Sequence, residues 1–127
     1  MNQYKTFKAG EVLAIHRMVY MSAADTVAYP TGVGVQPIGV TVSAAAAIGD
    51  KVEVQMFGFG KVEIGAAVAA YNAPLLYIAA ADGQVDDVAA AAGTLHCWVG
   101  FSLSLSGTAG DIIDCLIMPG QGIRAHA

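Results

Sequence analysis

The chain has 127 residues with six basic and ten acidic side chains, a net charge of −4, and 56% hydrophobic against 13% charged residues. That length makes one domain of ordinary size with room for a real core. An ordinary soluble domain carries about 25% charged residues, so the sparse charge here implies a surface of small residues or one buried against other chains. No Lys/Arg cluster exists to follow a phosphate backbone, which argues against nucleic acid.

Residues 1–10 are polar and unpatterned and read as a flexible arm that orders on a partner, with Tyr4 and Phe7 as its candidate contact residues. Residues 11–120 read as a single β domain and 121–127 as a tail. Glu11 to Tyr20 is dense in apolar residues and predicts a strand. Ser22 to Thr31, with Asp25 and Tyr29-Pro30-Thr31-Gly32, predicts a loop.

Gly34 to Ser43 predicts a strand. Lys51 to Met56 alternates strictly, Val52, Val54 and Met56 inward against Lys51, Glu53 and Gln55 outward, which is the pattern of a half-buried strand. Phe57-Gly58-Phe59-Gly60 interrupts it, and Val62 and Ile64 resume it, so a hairpin over 51–64 is expected. Gly65 to Tyr71 fits two helical turns. Leu75 to Ala79 fits a strand, followed by an Asp82-Gly83 turn into Gln84-Val85. Asp86 to Gly93 fits a short acid-started, glycine-stopped helix or a loop. Strands follow at Thr94–Ser106 and Asp111–Met118, and Pro119-Gly120-Gln121-Gly122 is expected to end the ordered fold.

A segment recurs 61 residues apart. Ile38-Gly39-Val40-Thr41-Val42-Ser43 leads to Gly49-Asp50-Lys51-Val52-Glu53-Val54, and Val99-Gly100-Phe101-Ser102-Leu103-Ser104 leads to Gly110-Asp111-Ile112-Ile113-Asp114-Cys115. Four positions are identical: Gly39/Gly100, Ser43/Ser104, Gly49/Gly110 and Asp50/Asp111. Both copies write strand, Gly-Asp turn, strand. The expected fold is all-β, a small β-sandwich or β-barrel of about eight to ten short strands with at most one or two short helices.

No constellation carries catalysis. His96, Cys97, Cys115 and His16 lack the close ligand pairs of a zinc site, and no orienting group accompanies a Cys-His pair. Asp82, Asp86 and Asp87 lack the ligand spacing of a calcium loop. Gly32-Val33-Gly34-Val35-Gln36-Pro37 lacks the third glycine of a dinucleotide loop, and Pro37 falls where its helix would start. No enzyme, metal or cofactor is expected. Cys97 and Cys115 read as reduced thiols. The uncharged stretches 26–49, 64–81 and 88–110 are broken by Pro, Gly, Asn or His, so no membrane-spanning helix is expected. Phe57, Phe59 and Trp98 are the candidate self-association residues, each also a candidate for the core.

With these residues laid out, the chain resembles a small family of bacteriophage capsid cement, or head decoration, proteins. The likeness rests on the order of Ile38–Thr41, Gly49–Val54, Gly60–Ile64, Leu76-Tyr77, Asp82–Val85, Val99–Leu103 and Gly110–Leu116, covering about residues 33–117. It implies an inert β domain made in the host cytoplasm. Such a domain would sit on the outer surface of the virion capsid as a homotrimer or dimer and bind the major capsid protein. Tyr71-Asn72-Ala73-Pro74 departs from the family's glycine turn, and the first 30 residues match poorly. A tail or fibre component, and a small-ligand-binding β-barrel, are the other readings of the same β pattern.

Overall fold

The computed structural model describes residues 2–32, 35–66, 68, 75–78, 82–86, 95–104, 108–119 and 122–124. Among them are ten strands and no helix. These are β1 (Gln3–Ala9), β2 (Met18–Ala23), β3 (Thr26–Ala28), β4 (Gly39–Thr41), β5 (Lys51–Glu63), β6 (Leu75–Ile78), β7 (Val85–Asp86), β8 (Leu95–Ser102), β9 (Ile112–Ile117) and β10 (Gly122–Arg124). The all-β expectation holds, and the barrel form of it is the one adopted.

Strands β1, β3, β2, β4 and the first half of β5 are hydrogen-bonded in that order, and β5 returns to pair β1. Five strands therefore close on themselves, which removes their edges. β1 and β3 run parallel and every other pair is antiparallel. The second half of β5 starts a second ring through β9, β8, β6 and β7, which a parallel bridge between Ile64 and Val85 closes. One 13-residue strand thus belongs to both barrels.

The second barrel repeats the first in register. Val40 pairs Gln55 and Thr41 pairs Val54; Phe101 pairs Leu116 and Ser102 pairs Cys115. Phe7 pairs Val52 as Val62 pairs Ile113, and Val19 pairs Gly39 as Leu76 pairs Gly100. The closing bond from Gly10 N to Val27 O recurs from Gly65 N to Val85 O. Phe7, Leu13, Val19, Val27 and Val54 fill the first core where Val62, Val68, Leu76, Val85 and Cys115 fill the second. Met18 and Val40 point out of the first barrel into the second core, so the barrels meet on apolar surface.

Three of the four residue pairs identical in the sequence repeat do matching work. A Cβ at Gly39 would lie 2.2 Å from the Gln55 carbonyl oxygen, and one at Gly100 would lie 1.9 Å from that of Leu116. Ser43 Oγ accepts from Glu53 N, and Ser104 Oγ from Asp114 N, each at 3.0 Å. Gly49 and Gly110 share a left-handed turn conformation.

Several sequence expectations are corrected. The arm over 1–10 is β1: Phe7 and Ala9 are buried while Thr6 and Lys8 face out, an alternation that the lysines disguised. The hairpin over 51–64 is one continuous strand, because Gly58 (φ +114) bends β5 without reversing it. The strand expected over Glu11–Tyr20 starts only at Met18 and runs to Ala23, and β3 lies inside the expected loop 22–31. The ordered fold does not end at Pro119–Gly122, since β10 pairs β8. Gly65, Ala66 and Val68 are not helical, and the remaining residues to Tyr71 lie outside the described ones. The helix or loop expected over 86–93 has Asp86 in β7, with 87–93 outside the described residues. Expectations for Leu75–Ala79, the Asp82-Gly83 turn, and the strands within 94–106 and 111–118 match β6, the turn, β8 and β9.

Candidate functional site

The exposed aromatics gather where β1 starts and β5 bends, between the two barrels. Asn2 is the connector there. Its Oδ1 accepts from Phe59 N at 3.0 Å and its Nδ2 donates to the Tyr4 hydroxyl at 3.2 Å. A side chain at Gly58 would collide with Asn2, so the bend and the connector require each other. Gln55, expected to face outward, is buried instead and donates Nε2 from inside to the carbonyls of Phe59 (3.0 Å) and Phe57 (3.3 Å). A charge-free clamp of this kind fixes the backbone from which the two phenylalanines project.

The residues singled out from sequence divide by burial. Phe59 is 66% exposed, Tyr4 47% and Phe57 39%. Phe7, at 5%, belongs to the first core and is unavailable to a partner, because β1 is a barrel strand. The Trp98 side chain lies outside the described residues. Tyr4 and Phe59 occupy equivalent positions of the two barrels, opposite Gln55 and Leu116. Phe57 lines a different surface, an apolar groove of about 680 Å³ with Pro37, Ile38, Met56 and Pro119.

Beside Phe59 lies a second depression, of about 300 Å³, shared with Leu103, Lys61 and Asp114. Lys61 Nζ stands 2.6 Å from Asp114 Oδ1 with both side chains more than half exposed. In water such a pair adds little stability.

At the inter-barrel junction, Arg17 pairs with Glu63 at 2.7 Å and donates to the Asp82 carbonyl at 2.9 Å. Gln84 donates to the same Glu63 oxygen, and Arg17 lies over the Tyr29 ring. These groups hold one another across the junction. Cys115 is buried in the second core, where burial pushes its thiol up to about 12, only partly offset by a backbone hydrogen bond with Phe101. It is no nucleophile. Cys97 stands five residues along β8 from the residue that pairs Cys115, opposite Gly122. Among the described residues no three His, Cys, Asp or Glu side chains could hold a metal, and no helix is long and apolar enough to cross a membrane.

Asn2, Gln55, Leu103 and Arg17 were not singled out from the sequence. Gln55 had a readable signal: it stands where the other repeat has Leu116, a polar residue at a β position its counterpart leaves apolar.

No protein-family model matches the chain, and neither does any curated protein. Among solved structures it is similar to "The crystal structure of head fiber gp8.5 N base in bacteriophage phi29". The TM-score is 0.65 at 18% identity, over 92% of this chain and 94% of that one. The shared property is the fold. It extends through both barrels, because 92% of the chain cannot be reached with either alone.

Proposed function

We propose that the protein is a structural component of a bacteriophage virion, and within that class a head decoration protein that braces the mature shell from outside. The observation that carries the reading is the fold likeness, along nearly the whole chain, to the base of a phage head fibre. Its support from within the molecule is an exterior of few charges with exposed Phe59, Tyr4, Phe57 and Leu103 projecting from two rigid barrels. Large exposed apolar groups on a rigid scaffold suit permanent contact better than turnover.

On this reading the partners are the major capsid protein and further copies of this chain, with no catalysis and no cofactor. A protein that binds only the mature shell stabilises it by mass action, in proportion to the logarithm of its saturation. Many symmetric sites multiply a modest contact energy. A second reading, the base of a head-attached fibre, is favoured by the name of the structural neighbour.

Purified protein mixed with expanded and with unexpanded heads of its phage should co-sediment with the expanded heads alone. Indifference to both would refute decoration. Gold label spread over the whole shell favours the cement role, and label confined to projecting fibres favours the fibre base.

A further inference from the structure

The two barrels repeat one backbone, so the outward face of one serves as a control for the other. On the first barrel Tyr4, Thr6 and Lys8 of β1 stand opposite Gln55, Glu53 and Lys51 of β5, of which Gln55 is turned in and buried. On the second, Phe59, Lys61 and Glu63 of β5 stand opposite Leu116, Asp114 and Ile112 of β9. Val42 and Leu103 are equivalent too, each donating to the strand carbonyl of Glu53 or Asp114. Lys51 is matched by Ile112, Tyr4 by Phe59 and Val42 by Leu103, while Thr6 is matched by Lys61 and Lys8 by Glu63. Two of these exchanges, Lys51 to Ile112 and Tyr4 to Phe59, put an apolar group where the first barrel has a polar one, while strands and register stay the same. The barrel itself does not require them. Phe59, Leu103 and Ile112 are 66%, 48% and 42% exposed in the protomer.

We infer that this face of the second barrel, Phe59, Leu103 and Ile112 around the Lys61–Asp114 pair, docks a second copy of the same chain about a two-fold axis. Charge decides the occupant. A chain of net charge −4 repels its own copies over most of its surface. At this face Lys61 and Asp114 cancel, and Glu63 is already bound to Arg17. Opposite charges side by side are self-complementary under a two-fold, which sets Lys61 of each protomer against Asp114 of the other. Phe59 supplies the apolar anchor, and the swapped charges set register and exclude other partners.

The inference goes beyond the virion reading and does not depend on it, since its test needs no shell. Sedimentation equilibrium of the full chain at about 100 µM, far above a micromolar Kd, should give twice the 13.0 kDa protomer mass. Lys61→Asp alone and Asp114→Lys alone should each give the protomer mass, as like charges then meet across the axis. Their equimolar mixture should recover the doubled mass. Phe59→Ser should also halve the mass with an unchanged far-UV spectrum. A wild-type mass of one or three protomers would overturn the inference. So would charge variants that keep the doubled mass separately, or a mixture that stays at one.

Discussion

Gly100 and Gly49 are both repeat residues, yet they answer to different forces. At Gly100 a Cβ would lie 1.9 Å from a backbone oxygen that cannot move aside, and φ is +151. At Gly49 φ is +89 but nothing stands within 4 Å. Gly49→Ala should therefore cost only the left-handed strain, about 1 kcal/mol, and Gly100→Ala roughly 3 kcal/mol or more. Urea unfolding of the two variants would rank them, and equal losses would count against the close approach of β8 to β9. At Cys115 the unfolded chain loses its proton near the ordinary 9.0 and the folded chain near about 12. The folded state holds the extra proton between those values, so stability present below pH 9 is lost as pH rises toward 12. Cys115→Ala should lack this component. The gap in stability between wild type and variant should narrow above pH 9, and a constant gap would argue against a buried thiol.

Among the elements, β5 decides the architecture, and it is where sequence reasoning and structure part. Phe57-Gly58-Phe59-Gly60 looks like a turn because glycines punctuate a β-alternating run. The intended signal is a bend: Gly58 takes a conformation open to glycine, Asn2 fills the space beside it, and Gln55 ties the next carbonyls. Nothing local separates a bend from a reversal, since the difference lies in Asn2, 56 residues upstream. The repeat was legible over 38–54 and 99–115 because Gly, Ser and Asp there answer to backbone geometry. Its other half, β1 to β3 against β5 to β7, was not, because apolar core positions tolerate exchange: Phe7 for Val62, Val19 for Leu76. The exposed aromatics were legible as types, but their burial was not, and Phe7 went to the core. The junction adds a test of its own. Arg17→Met leaves the half-buried Glu63 charge with only the Gln84 amide, which should cost about 2 kcal/mol. Amide exchange should quicken at Glu63, which donates to His16 O, and at Met18, which donates to Gly83 O. Exchange that quickens evenly over both barrels would mean that Arg17 is not a junction staple.

For the whole molecule, two closed rings sharing one strand leave few free edges among the described strands. Closure protects it from adding strands of neighbours, which leaves side chains on barrel faces as the means of association. A brace needs that combination: a frame that does not yield under load and apolar contacts that bury fully on assembly. The most direct measurement is a cryo-EM reconstruction of the mature phage particle at side-chain resolution. The account predicts two-barrel density on the outside of the head, with Phe59 and Leu103 covered. Heads in which that density is missing, or protein found only in the lysate as free protomers, would contradict it.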